Sequence, residues 1–319
     1  MSDYDIIGDV HGEYEKLKGL LEAMGYRNSR GTFRHHDRTA IFVGDLIDRG
    51  PDQVDVVRLV RAMIDAGTAR AVLGNHEFNA IAYATHDGRG DYLRTHRGEK
   101  GEKYYRQHRA FLEQVVEGSA LHRELITWFT TLPLWLEAEA LRVVHACWHD
   151  QSIATLTRLG YTNGLATDEL IRLANVKKTD QFRCVDTILK GPEISLKGYP
   201  PFKDKDGNLR HKARLRWWAN DASTLADLAE IPLDAVDEHG DPYPGLPRVP
   251  TTEDRGYLYD PSAVPVFFGH YWRIGTPDLA GSNTVCVDFS ALHRDESLVA
   301  YRHDEGAELV NERFIRFPA

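Results

Sequence analysis

Five short motifs follow one another along the chain, each setting an Asp, Asn or His at the end of an apolar, strand-like run. They are Gly8-Asp9-Val10-His11-Gly12, Gly44-Asp45-Leu46-Ile47-Asp48-Arg49-Gly50, Gly74-Asn75-His76-Glu77, Val144-His145-Ala146 and Gly269-His270-Tyr271. Asp9 and His11, two positions apart, can project from one strand-to-loop turn onto one metal ion. Asp45 has two carboxylate oxygens and is expected to bridge that ion to a second. Asn75, His145 and His270 would complete the shell of the second ion. Mixed Asp, Asn and His ligands suit Mn²⁺, Fe or Zn²⁺ and do not choose among them. Two such ions clamp an anionic phosphate and acidify a shared water, so the set suits phosphoester hydrolysis.

The elements between the motifs can bring them together. Residues 4–8, 39–43 and 69–73 read as buried strands, and each ends at a motif. Tyr14, Leu17 and Leu21 recur at helical spacing to about Met24, and a second helix follows Pro51 with Val54, Val57, Leu59, Val60 and Met63 on a mixed apolar face. Asp9 and Asp45 are 36 residues apart, and Asp45 and Asn75 are 30 apart. Each interval fits one βαβ unit, which implies parallel strands with their motifs on neighbouring loops at the carboxyl ends. Residues 111–129 read as one helix, 134–144 as a strand pair delivering His145, and 264–268, 284–287, 298–301 and 308–314 as short strands. Residues 150–255 carry none of the motifs and hold turn-rich stretches around Trp217 and Trp218; they are expected to be an insertion or cap.

Composition sets the outer bounds. Of 319 residues, 42% are hydrophobic and 27% charged, as in ordinary globular proteins. No apolar run approaches the roughly 20 residues of a membrane helix, and the acidic start Met1-Ser2-Asp3-Tyr4-Asp5 is unlike a signal peptide. Three cysteines without Cys-x-x-Cys spacing read as reduced thiols, so the expected location is cytoplasmic, with no membrane partner. A net charge of −9 argues against stable nucleic-acid binding.

The motif set resembles, in order, the signatures of the calcineurin-like metallophosphoesterases, most of all their phosphoprotein phosphatase branch and its bacterial relatives. The resemblance covers about residues 4–80 and 141–290. It implies an α/β fold, a two-sheet αββα sandwich, forming a single domain over residues 1–319 with 150–255 inserted. It also implies a pair of divalent ions, manganese first and iron or zinc as alternatives. By the same resemblance His76 protonates the leaving group, Asp48 orients His76, and Arg49 holds phosphate oxygens. Arg255, within Asp254-Arg255-Gly256, fits the second phosphate-binding arginine, with Arg214 and Arg216 as rivals for that role.

Two positions depart from the wider family. Trp272 stands where many members have a second histidine in Gly-His-x-His, and Ala146-Cys147-Trp148 replaces a Gly-rich turn. Val287-Asp288-Phe289-Ser290 also resembles bacterial diadenosine tetraphosphatases. The leading expectation is a phosphatase in which a metal-bridging hydroxide attacks a phosphomonoester in line, the substrate being a phosphoprotein or small phosphoester. The alternative is a hydrolase of dinucleoside polyphosphates such as diadenosine tetraphosphate. A catalytically silent binding platform is disfavoured, since every expected ligand, His76 and Asp48 are present.

Overall fold

The computed structural model describes residues 3–318 apart from 139, 204–206, 233–234, 252–254, 290 and 292–296. Strands β1 (Asp3–Ile7), β2 (Arg38–Phe42) and β3 (Ala69–Ala71) pair in parallel, Ile6 beside Ile41 and Phe42 beside Ala71. Helices α1 (Tyr14–Ala23) and α2 (Gln53–Asp65) make the crossovers. Their buried residues, Leu17, Leu20 and Leu21 in one and Val56, Val57, Val60 and Met63 in the other, recur three and four apart, giving each helix one core-facing stripe. Four of the five residues of β1 are buried, without strand alternation, because both faces of the sheet are covered. The β-α-β-α-β expectation therefore holds.

The third motif opens α3 (Asn75–Ala84), and the chain continues through α4 (Gly98–Val115) and α5 (Ala120–Phe129). A hairpin of β4 (Trp135–Glu137) and β5 (Arg142–Val144) starts a second sheet, which β6 (Val266–Phe268) and β7 (Thr284–Cys286) complete in the order β7-β6-β5-β4. Strands β8 (Leu298–His303) and β9 (Phe314–Phe317) return antiparallel to the first sheet, giving β9-β8-β1-β2-β3. Ile6, Ile41 and Tyr301 of the first sheet share one hydrophobic core with Val143, Phe267 and Val285 of the second. The result is a mixed α/β fold of two facing sheets flanked by helices.

Two stretches differ from expectation. The single helix expected over residues 111–129 is two helices, broken where Val116 and Gly118 take φ of 58° and 72° and Ser119 caps α5 by accepting from the His122 N–H. The strand expected over 308–314 begins only at Phe314. The Tyr301 hydroxyl donates to the Val310 carbonyl at 3.1 Å and accepts from its N–H at 2.9 Å, occupying groups a ladder would need.

The chain divides into two compact units, Met1–Lys190 with Val264–Ala319, and Gly191–Ala263. Residues 150–190 form α6 (Asp150–Arg158), α7 (Asp168–Ala174) and α8 (Asp180–Lys190) of the first unit, so the second is narrower than the insertion expected from the sequence. In the second unit a strand at Lys212–Leu215 pairs on either side with Glu193–Ser195 and Ala229–Glu230. Trp217 and Trp218 are buried there, with the Trp217 ring edge-on to both Trp218 and Tyr259, so the pair serves as core.

Candidate metal centre and phosphate site

All five motifs lie just beyond the carboxyl ends of strands of the first unit: β1, β2 and β3 of one sheet, β5 and β6 of the other. Backbone bonds tie the loops together. Val10 N–H and His11 N–H donate to the Asp45 carbonyl at 3.1 and 2.8 Å, and Gly269 N–H donates to that of His145 at 2.8 Å. The loops approach so closely that several motif glycines leave no room for a side chain. A Cβ on Gly74 would lie 2.2 Å from the Asp45 nitrogen, and one on Gly269 would lie 2.0 Å from Asp9 Oδ1. His11, Asp45, Asp48, Arg49, His270 and Trp272 all take positive φ, a conformation that costs about 1–3 kcal/mol at a non-glycine residue and clusters at working sites.

One carboxylate holds the strained Asp45 loop. Glu77, fully buried in the first turn of α3, accepts four backbone N–H bonds. Asp45 and Gly74 donate to its Oε2 at 2.9 and 3.0 Å, and Leu46 and Ile47 donate to Oε1 at 2.8 and 3.2 Å. Burial first, and then the Asp45 carboxylate, push the Glu77 carboxyl up to about 7, against the pull of these N–H groups.

Asp45 is the hub. Its Oδ1 lies 3.4 Å from His145 Nε2, while its Oδ2 lies 3.7 Å from His11 Nε2 and 3.8 Å from His76 Nε2. Two sets of candidate ligand atoms result, Asp45 with His145 and His270, and Asp45 with His11 and His76, each within 4.8 Å. His145 Nδ1 lies 2.8 Å from the Val43 carbonyl and His11 Nδ1 lies 2.9 Å from that of Ile47, so both rings donate from Nδ1 and turn the Nε2 lone pair inward. His145 Nε2 then faces Asn75 Oδ1 at 2.9 Å as well as Asp45, which brings three acceptor atoms together. Asp9, also buried, accepts from His270 N–H at 3.1 Å. Burial and the Asp288 and Asp45 carboxylates push its carboxyl far above the usual range. Buried oxygens and imidazole lone pairs in this arrangement fit divalent cations, and the shared carboxylate fits a dinuclear site.

Beside the hub stands a histidine–carboxylate pair. His76 Nδ1 lies 2.6 Å from Asp48 Oδ2, and His108 Nδ1, from α4, lies 2.7 Å from Asp48 Oδ1. Burial alone would raise the Asp48 carboxyl, but the imidazoles of His108 and His76 outweigh it and hold it well below the usual carboxylate range. Arg49 reaches over the same face, its Nη1 donating to His11 Nε2 at 3.0 Å and its Nη2 lying 3.5 Å from His76 Nε2. Its guanidinium stacks 4.3 Å from the centre of the Trp272 ring, a cation–π contact that holds the fork in place. The residue departing from the wider family thus supports the expected phosphate-binding arginine.

The structure brings Asp9, His11, Asp45, Asn75, His145, His270, His76, Asp48 and Arg49 together in the first unit. Arg255 belongs to the second unit, where its guanidinium donates to the Ala222 carbonyl at 2.9 Å; Arg216 pairs with Glu230 in that unit. Asp254 and Ser290 lie outside the described residues. Sequence reasoning gave no role to Glu77, His108 or the Trp272 stack. The signal for His108 was an imidazole in helical register with the apolar Phe111, Leu112 and Val115.

Fold and site together define a metal-dependent hydrolase acting on phosphoester bonds. The chain belongs to the calcineurin-like phosphoesterase family, whose sequence profile matches residues 4–271. It is 51% identical over 74 residues to the asymmetrical bis(5'-nucleosyl)-tetraphosphatase PrpE of Halalkalibacterium halodurans, a stretch covering 23% of this chain and 30% of that relative. Over an equal stretch with the same coverage it is 42% identical to PrpE of Bacillus subtilis. Among solved structures it is similar to a protein serine/threonine phosphatase from Saccharomyces cerevisiae, at 14% identity and a TM-score of 0.49, covering 99% of this chain and 78% of the other. No helix among the described residues is long and apolar enough to cross a membrane.

Two outcomes follow from this geometry. Glu77→Gln keeps the shape but turns an NH₂ toward backbone donors, leaving two N–H groups without an acceptor. Urea unfolding of the metal-free variant should show a loss of about 2 kcal/mol or more, with weakened metal binding; unchanged stability and affinity would remove the clasp from the account. Asp48, with its depressed carboxyl, should stabilise the fold fully above the unfolded-state value of about 3.9 and progressively less as pH falls below it. The stability advantage over Asp48→Asn should therefore be constant near neutrality and shrink in acid. An advantage that grew on acidification would contradict the pairing.

Proposed function

We propose that the chain is a phosphomonoesterase whose substrate, a phosphoprotein or small phosphoester, carries a poor, alkoxide-like leaving group. The reading is carried by the 2.6 Å contact between His76 Nδ1 and Asp48 Oδ2 beside the Asp45 hub. A phosphomonoester of an alkyl alcohol needs a proton on the departing oxygen, whereas a nucleotide leaving from an anhydride needs it far less. A built proton donor therefore favours the first. When bound, a divalent pair, manganese first with iron or zinc as alternatives, would supply charge neutralisation and a nucleophilic water. Asp9, His11, Asp45, Asn75, His145 and His270 would hold it.

The protein's own groups do the remaining work. Arg49, fixed by Trp272, offers a planar fork for two phosphate oxygens. His76, as an imidazolium with its Nδ1–H committed to Asp48, presents Nε2–H to the leaving oxygen and gives up that proton, which leaves the neutral Nδ1–H tautomer. Arg255 is proposed as a second phosphate ligand, with Arg214 and Arg216 as rivals, and the second unit as the selector of substrate. Three buried, unpaired cysteines accord with a cytoplasmic setting.

A second reading, hydrolysis of dinucleoside tetraphosphates, is favoured by the names of the partial relatives. Turnover with Mn²⁺ on a phosphoserine peptide, nitrophenyl phosphate and diadenosine tetraphosphate separates the two, since a kcat/KM highest on the last would replace the first reading. His76→Asn should lower kcat on the phosphopeptide by about 10²–10⁴ and on nitrophenyl phosphate much less, with metal content intact. Equal losses on both substrates would show that His76 is not the proton donor.

A further inference from the structure

We propose that His108 is a positioning residue for the proton donor, acting through Asp48 to fix the tautomer and ring plane of His76. The inference rests on the proposed role of His76. His108 sits on the buried face of α4 with Phe111, Leu112 and Val115, where a hydrocarbon would ordinarily stand. Its ring lies 5.0 Å from that of Phe111 and 5.5 Å, edge-on, from that of Tyr83, and these neighbours hold its plane. Its Nε2 is buried with no hydrogen-bond partner among the described residues, a defect that costs stability. An aromatic hydrocarbon would fill the same space without that cost. What the imidazole adds is its other nitrogen, 2.7 Å from Asp48 Oδ1.

That contact changes what Asp48 can do. An ionised carboxylate only accepts, so both facing imidazole nitrogens must carry hydrogen. Oδ1 takes the N–H of His108 and Oδ2 that of His76, while the Asp48 backbone N–H is held by Gln53 Oε1 at 2.8 Å. The carboxylate cannot rotate without breaking a bond to one imidazole. His76 is thereby confined to donating from Nδ1, which leaves Nε2 facing Arg49 and the Asp45 carboxylate, 3.5 Å from Arg49 Nη2. Without His108, Asp48 could turn and His76 could swing or change tautomer.

The test compares His108→Phe, which keeps the ring and loses the N–H, with His108→Asn, whose amide can place an N–H near the Nδ1 position. In the manganese-loaded enzyme, His108→Phe should lower kcat on a phosphoserine peptide about ten- to a hundredfold, leaving KM, metal content and kcat on nitrophenyl phosphate nearly unchanged. His108→Asn should recover most of the loss. In the zinc-loaded protein, the far-downfield proton resonance of the short His76–Asp48 bond, assigned by its absence in His76→Asn, should weaken or vanish in His108→Phe and return in His108→Asn. If His108→Phe fails to fold, His108→Gln, whose amide reaches past the Nδ1 position, takes its place. An unchanged resonance with unchanged peptide turnover, or equal losses on both substrates, would overturn the proposal. If instead His76→Asn shows no leaving-group dependence, the proton-donor reading falls, and the resonance alone decides whether His108 orders the pair.

Discussion

Four backbone N–H groups converge on the Glu77 carboxylate, and much of the site depends on that convergence. Asp45 sits at φ 51° in a loop with no regular structure, a conformation Asp tolerates better than most residues but that no ladder or helix holds in place. A carboxyl group buried at the start of α3 supplies the bonds the loop would otherwise find in water, and in its ionised form these bonds are charge-assisted and stronger than neutral ones. The loop can then turn one oxygen of Asp45 toward His145 and the other toward His11 and His76. Moving that loop would disturb both ligand sets and the base of the Asp48 pair at once.

The sandwich explains why such a loop meets ligands from so far along the chain. Parallel strands β1, β2 and β3 deliver Asp9, Asp45 and Asn75 to one edge. The second sheet shares a core with the first through Val143, Phe267 and Val285, and so brings His145 and His270 to the same edge. The cost is a concentration of buried charge. Asp9, Asp45 and Asp288 are each 2% exposed or less, and Asp9 resists ionisation in the absence of a cation. Fold and metal chemistry are coupled here, because cations would relieve the repulsion that assembling the site creates.

Much of this was legible in the sequence, because strand-end motifs separated by one βαβ unit constrain topology strongly. The parallel half of the fold and the gathering of the first three motifs follow from spacing and apolar periodicity, while the second sheet that adds His145 and His270 was implied only by the family resemblance. What could not be read depends on contacts between distant segments. His108 lies 60 residues from Asp48, and its helix carries no motif. Glu77 stood within a quoted motif, yet its partners are backbone groups, which leave no mark in side-chain identity. The late start of β9 turns on a hydrogen bond from Tyr301, and the break between α4 and α5 on two positive φ angles, one of them at a valine. Trp272 was visible as a departure, but its stacking on Arg49 depends on the fold bringing two distant loops together.

The central claim is that one carboxylate, Asp45, joins two ligand sets into a single dinuclear centre. Loading the metal-free protein with Mn²⁺ and recording its electron paramagnetic resonance spectrum tests this most directly. Two ions sharing Asp45 would be close enough to couple magnetically, so a saturated sample should give an exchange-coupled spectrum at two ions per chain. An uncoupled Mn²⁺ hyperfine pattern at saturation, or a single ion per chain, would contradict it.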